Sequence, residues 1–244
     1  MRKFFITVCA STLALAATPA LAQDGGVYVS LTGGLSKVSD TEVEYYDVGG
    51  TFGGAGATDR AQTSAEQQDS AAFKGAIGFD FGPVRGDIEI SYSRNKVRSI
   101  TVNSVNGSPV TLDAADRQDV CDYLEATGCS GSGNTISFTG GPGLRQLGAM
   151  ANLWVDIPIG GSIVPYAGGG VGAVGFEMDG EGTGKFAWQL GAGVAVKVSG
   201  KVSLTVDFRH RQVSGEEFPW DANSGFEVGR IKTNSVTAGI RIGF

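Results

Sequence analysis

The chain contains a single histidine, His210, which is the first residue to consider as a catalytic base. A hydrolase would also need a nucleophile such as the Ser214 hydroxyl and a carboxylate within hydrogen-bond reach of the imidazole. The alternation of polar and apolar residues places His210 on the apolar face of a strand, close to the end of that strand. Gln212 and Ser214 follow on the same face, and two glutamates come only in the next connection. We interpret His210 as an interfacial side chain, whose imidazole ring lies where the apolar surface of the strand meets a polar environment. We predict no catalytic residue.

Cys121 and Cys129 lie close together in a polar segment. Two thiolates could form part of a zinc site, but structural zinc usually takes four ligands and no histidine is nearby. The N-terminal segment described below predicts export through an oxidising compartment, where neighbouring cysteines commonly pair. We therefore predict a disulfide between Cys121 and Cys129 that closes a small loop.

Two other segments could suggest a bound ion or cofactor. Four carboxylates between residues 40 and 47 could bind calcium, but they lack the ligand spacing of an EF-hand loop. The glycine-rich stretch at 49–56 could cradle a phosphate, but no Lys-Ser or Lys-Thr pair follows it. We interpret the carboxylates as solvated loop charges and the glycines as a flexible loop, and we predict neither a metal nor a cofactor.

Charged residues of both signs occupy the polar faces of segments whose other face is apolar. If these polar faces enclose a narrow interior, opposite charges could pair there, and burial without such pairing would be costly. We predict a salt-bridged plug, because a small barrel has an interior that side chains can fill. The predicted interior charges are Lys74, Asp80, Asp87, Glu89, Lys197, Asp207, Arg209 and Arg241.

Residues 1–22 have the three regions of a secretory signal peptide. Two basic residues precede an apolar stretch at 4–16, and the Ala-Leu-Ala sequence at 20–22, with small residues at 20 and 22, suits cleavage. The apolar stretch is shorter than the ~20 residues that a membrane-spanning helix needs. Cys9 lies inside this stretch and is expected to leave with the signal. We expect the mature chain, residues 23–244, to be exported.

The mature chain has an acidic balance, with 17 basic and 25 acidic residues. Nucleic-acid binding relies on clustered lysine and arginine, so this balance argues against a nucleic acid as the partner. No later stretch is long and apolar enough for a membrane helix. Any membrane-spanning part must therefore be made of strands that close into a barrel.

Alternation with a period of two runs through the mature chain and is clearest at its end. At 235–244 every even position is apolar and every odd position is small or polar, which predicts a strand with one apolar face. The glycine-rich stretch 163–176 is a further strand whose facing the pattern leaves open. Partial alternation at 97–102 leaves a ten-stranded barrel, with an extra hairpin within 97–113, as an alternative to eight strands. The other predicted strands lie near 27–32, 73–81, 87–93, 144–157, 188–197 and 201–209.

Alternation alone does not say which face points inward, and a soluble lipocalin-like barrel would bury the apolar face. The connections favour the opposite arrangement, because tight turns alternate with long segments, as in outer-membrane barrels. Phe244 lies on the apolar face, as expected of an aromatic residue at a membrane interface. The long loops are expected at about 39–70, 97–138, 177–185 and 213–230. The sequence thus predicts an all-β fold, an eight-stranded antiparallel up-and-down transmembrane β-barrel.

The mature chain resembles the OmpA-type and opacity-protein-like surface-antigen barrels, through the Pro-Tyr and glycine-rich stretch 165–172, the segment 150–152 and the terminal strand ending in Phe244. The resemblance implies a Gram-negative outer membrane, contact with its lipids and lipopolysaccharide, and Phe244 as the signal read by the barrel assembly machinery. It also implies a non-enzymatic role in envelope integrity, adhesion or host contact, with loops that bind host or surface ligands. A small porin-like channel for water, ions or small solutes is the alternative.

Overall fold

A computed structural model describes residues 25–49, 57–141, 143–178, 181–219 and 222–244. The predicted signal peptide lies outside these residues. The elements are β1 (Val27–Val38), β2 (Thr41–Val48), β3 (Thr58–Gln67), β4 (Ser70–Asp80), β5 (Val84–Val105), β6 (Ser108–Pro109), α1 (Ala114–Tyr123), β7 (Ser130–Ser132), β8 (Thr135–Ser137), β9 (Gly143–Asp156), β10 (Ile163–Met178), β11 (Glu181–Lys197), β12 (Val202–Val213), β13 (Glu216–Pro219), β14 (Ser224–Val228) and β15 (Ile231–Gly243).

Eight strands form a closed antiparallel ring in the order β1-β4-β5-β9-β10-β11-β12-β15, and β15 pairs back onto β1. The closing pair is continuous from Tyr28↔Gly243 to Val38↔Thr233. A closed ring leaves no unpaired strand edge, so backbone groups are satisfied throughout its circumference. The predicted eight-stranded barrel is confirmed. The ten-stranded alternative is wrong, because the stretch 97–105 continues β5 and is not an extra hairpin within the ring.

The apolar faces of the ring strands point outward. Leu31, Ile77 and Leu204 are 63%, 58% and 53% exposed, and similar side chains surround the whole barrel. Soluble proteins rarely expose apolar surface this extensive, whereas transmembrane barrels present it to lipid. The lipocalin-like alternative is therefore wrong.

The glycine-rich strand β10 has an inner face whose composition varies along its length. Val164, Tyr166, Val174 and Phe176 point inward and are buried, whereas the glycines between them make room for β9. A Cβ at Gly168 would lie 2.7 Å from Trp154 Cε3, and one at Gly170 would lie 2.1 Å from Asn152 Oδ1. These glycines allow two large polar or aromatic side chains of β9 to enter the lumen.

The tight turns and both ends of the described chain lie at one rim, which we call the inner rim. Most of the segments expected to be long loops emerge at the opposite, outer rim and are themselves strands. β13, β14, β2 and β3 pair in that order, and β3 pairs with the part of β5 nearest the outer rim. β8 pairs with the same part of β5, and β7 pairs with β8. We call these seven strands the outer sheet. The stretch 177–185 also differs from the expected loop, since β10 and β11 pair up to Met178↔Glu181.

The segment between β6 and β7 holds the single helix of the described residues, α1, which the sequence analysis did not predict. Asp113 caps it, accepting hydrogen bonds from the N–H groups of Asp116 and Ala115 at 2.9 and 2.7 Å. These donors hold the pKa of Asp113 below its usual range. Cys121, within α1, forms a disulfide with Cys129, with Cα atoms 6.4 Å apart. In the described part of the chain, no helix is long and apolar enough to cross a membrane.

Candidate functional site

The centre of the barrel contains a buried network of charges, which we call the charge layer: Lys74, Glu89, Asp207, Arg209 and Arg211. Arg209 forms ion pairs with Glu89 and, at 2.9 Å, with Asp207. Lys74 lies 3.6 Å from Asp207. The Glu89 and Asp207 side chains are each only 2% exposed. Removing such charges from water is costly, so the network is stable only while its pairs stay intact.

Neutral side chains complete the hydrogen bonding of the two carboxylates. The Gln189 amide donates to Glu89 at 3.3 Å, and the Thr237 hydroxyl donates to Asp207 at 3.2 Å. Arg211 donates to the Ser91 hydroxyl at 2.9 Å and to the Gln146 carbonyl oxygen at 3.2 Å. Hydrogen bonds and ion pairs thereby join β4, β5, β11, β12 and β15 in one network across the lumen, and Arg211 links β12 to β5 and β9 beside it.

Asp87 lies below the charge layer, nearer the inner rim, and is held by neutral donors. The Tyr28 hydroxyl and the Asn152 amide both donate to it at 2.7 Å, and the Trp154 indole donates at 2.9 Å. Arg241, one of the predicted interior charges, lies over the Tyr28 ring with its guanidinium 5.8 Å from the ring centroid. Both residues therefore belong to the interior without forming a direct ion pair in the described structure.

A second ion pair lies close to the inner rim, between Arg85 and Asp156. Arg85 donates three hydrogen bonds of 2.7 to 3.0 Å to this carboxylate. Its guanidinium also lies 5.6 Å from the Tyr28 centroid and 5.0 Å from the Tyr166 centroid. This pair was not predicted, because the predicted strand begins at Asp87. The period of two places Arg85 on the same face, so the alternation already carried the signal.

Two predicted interior charges lie at the inner rim, outside the network. Asp80 accepts a hydrogen bond from the Gly82 N–H at 2.8 Å and so stabilises the turn between β4 and β5. Lys197 is exposed at the end of β11. Conversely, Arg211 was not predicted, because the strand was ended at Arg209. It lies two positions further along the same inward face.

Above the charge layer, towards the outer rim, seven buried apolar side chains fill the lumen. They pack against one another from six strands, and Leu144 and Val228 pack on the cluster. We call this cluster the apolar layer: Val38, Met150, Val174, Phe176, Ala187, Val213 and Ile231. Protein interiors are close-packed, so such a layer excludes water. The sequence marks this layer, because Val38, Val213 and Ile231 are apolar residues at inward positions that are polar elsewhere in their strands.

His210 lies on the outward face, as the alternation predicts. Its Nδ1 is 2.8 Å from the Asn234 carbonyl oxygen, and its ring centroid is 5.7 Å from that of Trp188. Within the described residues, no hydroxyl or carboxylate shares a hydrogen bond with His210. The described residues likewise contain no group of three or more His, Cys, Asp or Glu side chains placed to hold a metal ion.

The outer sheet carries a row of carboxylates across three strands. Glu44 pairs with Glu227 in register, and Glu227 pairs with Glu217. We call these three residues the acidic row. Arg60 forms ion pairs with Glu44 and, at 3.5 Å, with Glu227, and the Tyr46 hydroxyl donates to Glu217 at 2.6 Å. One arginine among three carboxylates leaves a local excess of negative charge. Like charges directly opposite one another destabilise a sheet, so this row costs the outer sheet stability.

A closed eight-stranded ring with an apolar outer surface and a polar, side-chain-filled interior defines an outer-membrane β-barrel protein. Residues 42–240 match the sequence profile of the family described as "Surface antigen". The chain belongs to this family and is a protein of the bacterial outer membrane. A comparison with curated proteins gave no match.

Solved structures with similar folds include three outer-membrane proteins. Neisserial surface protein A is 14% identical, with a TM-score of 0.50 over 90% of this chain and 99% of that one. OprG from Pseudomonas aeruginosa is 12% identical, with a TM-score of 0.49 over 90% and 97%. The outer membrane protease OmpT from Escherichia coli is 9% identical, with a TM-score of 0.42 over 93% and 100%. At these identities the likeness to Neisserial surface protein A supports the fold alone.

Proposed function

We propose that this protein is a closed, non-enzymatic barrel that holds the outer sheet at the cell surface for contact with a host or surface ligand of positive charge. The observation that carries the proposal is the strand β5, which runs without interruption from the charge layer into the outer sheet. The part of β5 nearer the inner rim pairs with β4 and β9, and the part nearer the outer rim pairs with β3 and β8. A surface fixed in this way needs little ordering when a ligand binds.

The acidic row supports the chemistry of the proposed ligand. The side chains of Glu44 and Glu227 are 23% and 49% exposed, so both reach solvent. The three long connections at 39–70, 97–138 and 213–230 contain sixteen acidic and four basic residues. Complementary charge raises the rate of association with a cationic partner.

The surroundings of the barrel are proposed from its outward faces. Lys37, Arg94, Lys96 and Lys232 are exposed on the outward face, just beyond the outermost apolar side chains. These cations suit the anionic headgroups of lipopolysaccharide at the outer rim. At the inner rim Phe244 is 72% exposed on the apolar surface. That exposure fits the proposed recognition of Phe244 by the barrel assembly machinery.

The proposal can be tested with proteoliposomes and a fluorescent oligolysine as a cationic probe. Glu42→Gln, Glu44→Gln, Glu217→Gln and Glu227→Gln are combined in one variant. The matched control neutralises Asp116, Asp119, Asp122 and Glu125 in and next to α1, which removes as many charges from another part of the outer surface. We expect at least tenfold weaker binding for the first variant and a smaller loss for the control. Equal losses would mean that bulk charge acts instead of the acidic row.

A second test separates the outer segment from the barrel. Replacing 106–134 with a short Gly-Ser linker removes α1 and the disulfide but leaves every pairing of the ring in place. We expect the folded variant to keep its compact gel migration until boiled. Failure of the barrel to assemble would show that this segment is part of the fold and not a presented surface.

A further inference from the structure

A small cavity lies in the barrel interior between the charge layer and the apolar layer. Its volume is about 20 Å³, enough for one particle of the size of a water molecule. Side chains from six barrel strands line it, among them Lys74, Ser93, Arg209, Arg211 and Thr233. Among the described residues that line it, none carries a carboxylate.

The charges around this cavity do not balance. The charge layer has three cations, Lys74, Arg209 and Arg211, and two carboxylates, Glu89 and Asp207. Arg209 pairs with both carboxylates, and Lys74 shares Asp207 with it. In the described structure Arg211 binds only neutral oxygens, those of Ser91 and Gln146. One positive charge is therefore in excess, and an uncompensated charge in a closed interior is strongly unfavourable.

Unused hydrogen-bond donors surround the same space. The Arg211 Nε is buried and has no acceptor in the described structure, although both of its terminal nitrogens have one. The hydroxyls of Ser93 and Thr233, which also line the cavity, are buried and unpartnered too. A buried donor without an acceptor is costly, so these groups together favour an acceptor in the cavity.

We propose that the cavity binds one small monovalent anion of the size of chloride. A negative charge at this point balances the excess of the charge layer and accepts hydrogen bonds from Arg211, Ser93 and Thr233. A cavity of about 20 Å³ favours a monatomic anion over a larger carboxylate or phosphate. On β12 and β15 the apolar layer begins two residues nearer the outer rim than Arg211 and Thr233, so the anion is held within the barrel interior. This site is independent of the proposed surface contact, since it needs no partner.

The most direct test uses crystals of the folded barrel grown in sodium bromide. We expect an anomalous peak within hydrogen-bond distance of the Arg211 Nε and the Thr233 hydroxyl. Density for an ordered water with no anomalous signal, or bromide found only on the surface, would overturn the proposal. This test needs no variant, so it does not depend on whether a substitution folds.

A solution test compares unfolding in sodium chloride and in sodium gluconate at equal ionic strength. Gluconate is too large for the cavity, so the gel-shift midpoint of the unaltered protein should be about 5 °C higher in chloride. Arg211→Gln removes the excess charge and should abolish this difference. Lys197→Gln, which neutralises an exposed cation of the inner rim, should retain it.

A second variant covers the case in which Arg211→Gln does not fold. Thr233→Val removes one donor while keeping the shape of the side chain, so the bromide concentration at half-maximal stabilisation should rise about tenfold. An unchanged bromide dependence in the folded Thr233→Val variant would contradict the proposed site. So would a chloride effect in the Arg211→Gln variant equal to that of the unaltered protein.

Discussion

Substitution of Glu89 with Gln tests the charge layer most sharply, because it removes one charge while nearly keeping the shape of the side chain. Glu89 is the partner of Arg209 and the acceptor for Gln189, and its side chain is 2% exposed. After the change Arg209 retains Asp207, but the layer then holds three cations and one carboxylate. Breaking one side of a buried pair costs about 3 to 5 kcal/mol. The remaining pair with Asp207 places Glu89→Gln near the lower value, about 3 kcal/mol.

The expected loss can be read as a shift in the temperature at which the barrel unfolds. For a chain of this length, ~1 kcal/mol moves the midpoint by about 2 to 4 °C, so the Glu89→Gln midpoint should fall by about 6 to 12 °C. The assay follows the compact band in detergent gels after heating to successive temperatures. Glu42→Gln is the control, since Glu42 is exposed on β2 and its change should shift the midpoint by no more than ~2 °C.

A double-mutant cycle refines the same prediction. Combining Glu89→Gln with Arg209→Gln should cost at least ~1 kcal/mol less than the sum of the single changes, because the two side chains act on each other directly. The reasoning is refuted if Glu89→Gln unfolds at the same temperature as Glu42→Gln. Additive losses in the cycle would show that the two groups are stabilised independently.

Three further predictions concern other parts of the chain. Gly170→Ala places a Cβ 2.3 Å from the Ala151 carbonyl oxygen and should destabilise the barrel by at least ~2 kcal/mol, whereas Gly184→Ala, with open space around it, should not. Because the folded pKa of Asp113 is depressed, its stabilisation of α1 is present above the ordinary carboxyl pKa and lost as the pH falls through the folded value. Hydrogen exchange in α1 should therefore accelerate at acid pH relative to the pH-corrected intrinsic rate, and this extra acceleration should be absent in Asp113→Ala. Joint replacement of Cys121 and Cys129 with Ser should speed proteolysis within 106–134 and leave the gel-shift midpoint of the barrel unchanged, a result that reduction of the unaltered protein should reproduce.

The barrel was predictable because lipid imposes one rule on every ring strand. Residues such as Leu204 and Val206 alternate with Thr205 and Asp207 over a length sufficient to identify the strand. The period of two left the outward face open, and the alternation of tight turns with long connections along the chain assigned it correctly. The inner face of β10 has glycines where other strands have larger side chains. The alternation within β10 could not show that Trp154, on the neighbouring strand β9, fills the space beside Gly168.

The outer sheet was not predictable by the same reasoning, because its strands have water on much of their surface. The β2 sequence alternates weakly, and its carboxylates resemble loop composition more than strand composition. One of its pairing partners, β3, is the next strand along the chain, but the other, β14, comes only near the end of the chain. Helix α1 has no apolar stripe, so the cap formed by Asp113 and Asp116 was its main signal.

The interior site was partly predictable. Glu89, Asp207, Arg209 and Lys74 were identified because they interrupt apolar strands at regular positions. Arg85 and Arg211 were missed because the strands were drawn two residues too short at those ends. Asp156 lies on the polar face of the predicted strand 144–157, but its ion pair could not be predicted, since its partner Arg85 was one of the missed residues. Which opposite charges meet depends on the strand register around the ring, and alternation within one strand does not contain that information.

The central claim is that the apolar and charge layers close the barrel, so that the protein acts through its outer surface. Single-molecule conductance in planar bilayers tests this claim most directly. Protein whose folding has been verified by its gel shift should insert without any steady current at either polarity in symmetric salt. A reproducible, ion-selective step of constant size would contradict the closed barrel and favour the channel.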